Sequence, residues 1–187
     1  MSRARGRPAQ GQEMARDEIL AAALCLLDEN AGQGLSMRAL ATRLGVTPMS
    51  LYRHVGDQAG LLRALADQVY ARVLEAPQGL AEEGAQIRAL LTRYHRAVAR
   101  YPQLTLAIFA TPQAFAGVTR AITERLDSLL ACITAQPLAW RDILVDHAHG
   151  SGLALAASQA QPAQFEPLLA HYQQALDRLL EGLTGAR

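Results

Sequence analysis

Apolar residues recur along almost the whole chain at spacings of three and four, whereas the strict alternation typical of strands is nearly absent. In the first part of the chain the helical pattern covers residues 13–30, 36–45, 47–54 and 61–75. Glycines or prolines lie near the ends of these runs, and such residues end helices. The pattern therefore predicts four amino-terminal helices, of which the middle pair is short.

Helical runs fill the rest of the chain, and all but a short one at 104–110 are longer than those before. The last of them carries a continuous apolar stripe from Phe165 to Leu183. The runs cover residues 82–100, 104–110, 112–135, 137–158 and 162–183. Together these features predict an all-α protein whose larger, carboxy-terminal part is an antiparallel helical array.

Residues 36–54 combine the local features of a helix-turn-helix. Such a motif needs a small residue where its helices meet and a glycine in the turn between them, and Ala41 and Gly45 meet these needs. Apolar residues that would join the two helices are Leu40, Leu44, Val46 and Leu51. Because these features coincide, a helix-turn-helix is favoured over an ordinary helical hairpin.

The second helix of such a motif enters the major groove of DNA, while the first crosses the phosphate backbone. Side chains that face away from Leu51 are therefore expected to touch DNA. At base edges we expect Arg38, Thr47, Pro48, Met49 and Arg53. At phosphate oxygens we expect Ser36, Ser50, Tyr52 and His54. Arg53 is equally suited to a phosphate, and Tyr52 has a competing role in the core beneath the helix.

The distribution of charge adds to this interpretation. Half of the 187 residues are hydrophobic and 19% are charged, which is typical of a globular protein. The net charge is +1, but residues 1–63 hold eight Arg and six acidic residues, whereas residues 64–187 hold ten Arg and eleven acidic residues. Residues 1–11 are predicted to form a flexible basic arm, which suits either phosphate contact or solubility alone. Without a secretory signal or an unbroken apolar span, the chain is expected to be cytoplasmic.

Few residues point to other chemistry. Cys25 and Cys132 stand alone in apolar helical contexts, without the spacing of zinc ligands, and are expected to be small core residues. We predict no metal and no cofactor, because His147 and His149 point to different sides of a helix. The sequence also lacks nucleophile and phosphate-loop motifs, so an enzyme is not predicted.

The strings Gly34–Ala41, Leu44–Val46 and Leu51–Val55 resemble the amino-terminal domain of TetR-family transcriptional repressors, over about residues 12–65. The resemblance implies a homodimer whose amino-terminal domains bind a palindromic double-stranded DNA operator. It also implies a larger helical domain that takes up a small molecule and thereby releases the DNA.

Two positions depart from the family pattern. Val55 stands where Phe is usual, which is expected to loosen the packing beneath the recognition helix, and Gln58 stands where Lys is common, which removes one phosphate-neutralising charge. The expected organisation is the arm at 1–11, a helix-turn-helix domain at 12–56, a connecting helix at 57–79 and an effector-binding and dimerisation domain at 80–187.

The carboxy-terminal part offers surfaces for a partner copy and a small-molecule effector. Helix 137–158 is rich in Gly and Ala and helix 162–183 has the apolar stripe, so together they are expected to form the dimer interface, unless these faces are buried within one chain. His95 and Trp140 are the foremost ligand-binding candidates. The full set is Tyr94, His95, Phe109, Phe115, Trp140 and His147. The alternative function is a DNA-binding protein whose carboxy-terminal domain only dimerises or binds a protein.

Overall fold

The computed structural model describes residues 16–29, 34–75, 82–158 and 162–185, with the backbone alone at 162–164 and 184–185. The predicted basic arm, residues 1–11, lies outside these ranges. All regular structure within them is helical, which confirms the all-α fold with its amino-terminal helix-turn-helix. The helices are α1 (Arg16–Glu29), α2 (Met37–Leu44), α3 (Pro48–Val55), α4 (Gln58–Tyr70), α5 (Glu83–Arg100), α6 (Pro102–Phe109), α7 (Val118–Ile133), α8 (Pro137–Ala157) and α9 (Pro162–Gly185). Short 3-10 turns, Ala71–Leu74 and Pro112–Ala114, follow α4 and α6.

The first three helices pack on a small apolar core. Leu40 of α2 and Leu51 of α3 are fully buried, and Ala41 is buried with them. Gly45 ends α2 with a φ of 67°, and its N–H donates to the carbonyls of Ala41 and Thr42. A side chain at this left-handed position would be strained, so the glycine fixes the turn that sets α3 against α2.

Helices α3 and α4 meet at a close backbone contact. Gly56 ends α3 with a φ of 77°, and the Asp57 carboxylate then caps α4 by accepting a hydrogen bond from the Gly60 N–H at 2.6 Å. A Cβ atom on Gly60 would lie 2.0 Å from the Val55 carbonyl oxygen. Only glycine therefore allows this approach, and it fixes the orientation of α3 relative to α4.

Helix α4 is shared by the two parts of the molecule. It packs against α1 and α3 on one side and against α6, α7 and the Pro112–Ala114 turn on the other. Its buried residues are Leu61, Leu62, Ala64, Leu65, Ala66 and Tyr70. These residues belong to one continuous apolar cluster with residues of α1 and α7. The amino-terminal helices therefore share a core with the carboxy-terminal part.

Helix α5 is the centre of the carboxy-terminal part, where it packs against α7, α8 and α9. Gly152 of α8 is buried at the contact with α5, and a Cβ atom there would lie 2.8 Å from Cγ1 of Val98. Close approach of α5 and α8 therefore depends on this glycine. Within the described ranges, no helix is both long and apolar enough to cross a membrane.

Two expectations from the sequence are wrong. The helix predicted over 112–135 is broken, because Gly117 adopts a φ of 57° between the Pro112–Ala114 turn and α7. Cys25 and Cys132 are both exposed rather than buried. Their neighbours explain this, since Leu26 and Leu130 turn toward the core and leave the cysteines on the outer faces of α1 and α7.

We expect Gly60→Ala to lower the free energy of unfolding by about 1–3 kcal/mol, because the new methyl group must push the Val55 carbonyl and α3 away from α4. Urea unfolding followed by circular dichroism measures this. The control is Gly84→Ala in α5, where the new methyl group would have no neighbouring atom within 4 Å. That change should leave stability unaltered or raise it by up to about 1 kcal/mol. Equal free energies for the Gly60 variant and the parent would contradict the close-contact argument.

Candidate DNA-binding surface and ligand cavity

Helix α3 exposes one face to solvent and buries the other. Leu51 and Val55 are its buried residues, so Val55 fills the position beneath the helix where the family pattern has Phe. On the outer face the side chains of Met49 and Tyr52 are 70% and 42% exposed, and Arg53 is exposed as well. The competing interpretation of Tyr52 as a core residue is therefore wrong.

Both helices of the motif begin with a side-chain cap. The Ser36 hydroxyl oxygen accepts a hydrogen bond from the Ala39 N–H at 3.1 Å, and the Thr47 hydroxyl oxygen accepts one from the Ser50 N–H at 3.3 Å. A capping hydroxyl keeps its own O–H free to donate. Pro48 takes the first position of α3, where no N–H is needed. These local rules fix the direction in which α3 leaves the turn.

A groove of about 500 Å³ brings several of the expected DNA contacts together. It lies where the beginnings of α2, α3 and α4 converge. Its lining residues are Ser36, Met37, Arg38, Pro48, Tyr52, Asp57 and Gln58. The other expected DNA contacts do not line the groove. They are Thr47, Met49, Ser50, Arg53 and His54, of which Ser50 and His54 are half-buried and the rest are exposed. The Gln58 amide donates to the Leu35 carbonyl at 3.4 Å, so this side chain is already engaged within the protein.

The carboxy-terminal part encloses a mostly apolar cavity of about 70 Å³ between α4, α5, α6, α7 and α8. Three predicted ligand-binding residues, Tyr94, Phe109 and Phe115, line it. The side chains of Phe109 and Phe115 are 53% and 44% exposed, so they form the outer wall of the cavity. The other lining residues are Tyr70, Leu91, Thr105, Ile108, Thr119, Ile122, Thr123, Leu126, Val145 and His149.

Four polar side chains of the cavity form two hydrogen-bonded pairs. The Tyr70 hydroxyl is 2.7 Å from the Thr105 hydroxyl, and the Tyr94 hydroxyl is 2.6 Å from Nε2 of His149. Burial raises the pKa of Tyr70 to about 12 and raises the pKa of Tyr94 as well. Burial also lowers the pKa of His149. All of these groups are therefore neutral near pH 7, and the cavity suits an uncharged ligand.

The other three ligand-binding candidates lie away from this cavity. His95 is fully buried, its ring stacks on Tyr172 with centroids 3.8 Å apart, and its Nε2 is 3.1 Å from the Ser151 hydroxyl. His147 stacks near the same tyrosine at 5.0 Å. Trp140 packs at the α8–α9 contact, with its Cη2 atom 3.8 Å from the position that a Cβ on Gly182 would take. The expectation that they share one pocket fails because their helix faces turn toward α9.

The expected ligand-binding set includes His147 and leaves out His149, whereas the cavity is lined by His149 and not by His147. Spacing along the helix could have separated the two. His149 lies four residues after Val145 and so shares a helix face with this cavity residue, whereas His147 points elsewhere. The His149 ring also contacts Phe109 edge-on, with centroids 4.7 Å apart. Among the described residues, no group of three or more His, Cys, Asp or Glu side chains is arranged to hold a metal ion.

Residues 19–65 match the family described as bacterial regulatory proteins, tetR family. The tetracycline repressor protein class D of Escherichia coli is 38% identical over 88 residues, which are 46% of this chain and 40% of that repressor. The chain thus matches only about two fifths of this relative's length.

Two solved structures share the fold over nearly the whole chain. Mycobacterium smegmatis BioQ is 24% identical with a TM-score of 0.74, covering 92% of this chain and 98% of that one. BioQ with its natural double-stranded DNA operator is 24% identical with a TM-score of 0.70, covering 91% of this chain and 98% of that one.

The buried His95 should make stability depend on pH. Burial, together with the nearby positive charges of His147 and Arg96, lowers the pKa of His95 to about 4. The unfolded chain, with an ordinary histidine pKa of about 6.5, then binds more protons than the folded chain as pH falls below about 6.5. We expect this histidine to cost about 2 kcal/mol of unfolding free energy between pH 7.5 and pH 5. Urea unfolding at both pH values should show a smaller loss for His95→Gln, and an unchanged loss would contradict the assignment.

Proposed function

We propose that this chain, whose residues 19–65 match the tetR family of bacterial regulatory proteins, is a ligand-responsive transcriptional repressor of that family. In this proposal a homodimer binds a palindromic operator in the cytoplasm and leaves it when a small molecule occupies the cavity. The observation that carries the proposal is the exposed outer face of α3, which is held rigidly by its caps and by Leu51.

The outer face of α3 has the chemistry to bind DNA. Arg53 supplies a guanidinium group that fits a guanine edge or a phosphate. Pro48 and Met49 supply apolar contact of the kind made with thymine methyl groups. Ser36 and Tyr52 carry hydroxyl groups beside them in the groove between α2, α3 and α4, and hydroxyls donate to phosphate oxygens.

A surface stripe on α8 supports a dimer. Five residues of α8, at alternating spacings of four and three, lie along one exposed or half-buried face of the helix, and four of them are small or apolar. They are Ile143, His147, Gly150, Ala154 and Ala157. Gly152, in contrast, is buried against α5 of the same chain. A second copy packed on the stripe and on α9 would make a four-helix bundle and hold the two α3 helices about 34 Å apart, one turn of DNA.

Contacts between α4 and the cavity wall support a link between ligand and DNA. The Arg63 Nη1 donates to the Gln113 carbonyl at 3.0 Å, and the Asp67 carboxylate accepts from the Val118 N–H at 2.9 Å. These two α4 residues therefore form hydrogen bonds with both ends of the segment 113–118, which includes the cavity residue Phe115. A ligand that moves this segment would displace α4 through these hydrogen bonds. Helix α4 is in turn in close backbone contact with α3 at Gly60. A 100-fold drop in operator affinity requires about 2.7 kcal/mol of such coupling.

Selection of bound duplexes from a random DNA library at about 0.15 M salt should enrich one inverted repeat. Arg53→Ala should then weaken binding of the enriched duplex by about tenfold or more, since a base or phosphate contact of the guanidinium is lost. Fluorescence anisotropy measures the affinity. Arg120→Ala on α7 is the control, because it removes an equal charge from an exposed site outside the motif.

Enrichment of a single unrepeated half-site would contradict the dimer. Equal losses for the Arg53 and Arg120 variants would show that only net charge matters, and α3 would then not be the reading element.

A thermal-shift screen of neutral aromatic and aliphatic compounds should find some that raise the melting temperature of the parent protein and weaken operator binding. Val145→Phe should abolish both effects and leave operator affinity unchanged, because the larger ring fills the cavity. Leu138→Phe, at an exposed position of α8 outside the cavity, should respond like the parent. Compounds that release DNA from the Val145 variant as well would act at another site. A complete absence of such compounds would favour a carboxy-terminal domain that only dimerises or binds a protein.

A further inference from the structure

A second, chemically different depression lies at the junction of the two parts of the molecule. It is a groove of about 700 Å³ formed by α1, the end of α4, the Ala71–Leu74 turn and α5. Four guanidinium groups line it, those of Arg72, Arg93, Arg96 and Arg100, and the lining holds one carboxylate, Glu75. The apolar cavity has none of these side chains, so the two sites are separate.

The arrangement of the arginines follows from the helix. Arg93, Arg96 and Arg100 are spaced by three and four residues and therefore share one face of α5, which is the face that lines the groove. Arg72 belongs to the 3-10 turn across from them. Like charges at spacings of three and four on one helix face repel one another, and an anion bound beside them would reduce that repulsion.

These guanidinium groups are not neutralised within the described part of the chain. The ion pairs found there are formed by Arg43, Arg88 and Arg141, and not by the arginines of the groove. Glu75 acts on Arg93 only through its charge, without forming an ion pair.

Arg93 is the most firmly held of the set. Its Nε donates to the Val73 carbonyl at 3.0 Å, which fixes the side chain and leaves the terminal amino groups for a further acceptor. Burial lowers the pKa of Arg93, which means that its charge is partly stripped of water. The Arg100 guanidinium lies 5.9 Å from the centre of the Tyr101 ring, so an aromatic surface borders the charged one.

We propose that this groove binds a small molecule that carries a diphosphate or two neighbouring phosphate groups. Guanidinium forks match phosphate oxygens with paired, charge-assisted hydrogen bonds, and the net charge of the lining is positive. The volume falls within the range of about 300–1,000 Å³ typical of small-molecule sites. Leu24, Val69 and Tyr101 supply apolar surface for the remainder of the ligand. The proposal rests on neither operator binding nor the apolar cavity.

Isothermal titration of the full chain with pyrophosphate at about 0.15 M salt tests the proposal, since that salt screens weak surface attraction. The test variant is the double change Arg96→Gln and Arg100→Gln, at exposed positions where folding is not at stake. The control is Arg120→Gln with Arg125→Gln on α7, which removes the same charge outside the groove. We expect the parent and the control to bind alike and the groove variant to bind about tenfold more weakly or worse.

Equal affinity of all three proteins for pyrophosphate, or no binding by any of them, would overturn the proposal. Citrate and a random-sequence DNA duplex provide the competing probes. Tighter binding of citrate than of pyrophosphate would identify a carboxylate site instead. A groove variant that loses affinity for the duplex, while the parent does not bind pyrophosphate, would assign the arginines to DNA phosphates and reject a small-molecule site.

Discussion

The double burial of α4 is the constraint on which the rest of the structure depends. A helix of 13 residues is marginal by itself in water, so its order comes from the apolar surfaces on either side. On one side it completes the core of the helix-turn-helix, and on the other it closes the carboxy-terminal array. Because packed cores have low compressibility and transmit strain, a shift of α4 against one of these cores also strains its contacts with the other. The contact of Gly60 with Val55 and the hydrogen bond from the Val118 N–H to Asp67 are the specific points that fix α4 on its two sides.

The sequence is most informative where structure is local. The helix-turn-helix was predictable because its caps, its turn glycine and its buried leucines all lie within residues 36–54 and act through neighbours in the chain. The cavity was predictable only in part, since the rotation of α5 and α8 about their axes is decided by distant residues. His95 and Trp140 have the composition expected of ligand contacts, yet contacts with α9 turn them away from the cavity. Cys25 and Cys132 show the same limit, because an apolar neighbourhood in sequence does not say which face is outward.

Small residues on α8 serve opposite faces of the helix. Gly152 permits close packing within the chain, whereas Gly150 has open space around it. Composition alone cannot separate these roles, but position on the helix can. The arginines divide in a similar way: Arg63 and Arg93 donate to backbone carbonyls and act as structural ties, while Arg53 projects into solvent from α3. A chain whose basic residues are all arginine thus uses one side chain for several physical tasks.

The small volume of the apolar cavity has a kinetic consequence. A space of about 70 Å³ is well below the volume of about 300 Å³ at which typical ligand pockets begin, so the proposed function requires the wall formed by Phe109 and Phe115 to move outward before an effector binds. If the open form is a fraction f of the population, the apparent dissociation constant rises by 1/f and the rate of ligand capture falls with f. Under the proposed function, slow opening of this wall would make the response depend on how long the ligand is present as well as on its chemistry, because a short rise in concentration ends before the site fills.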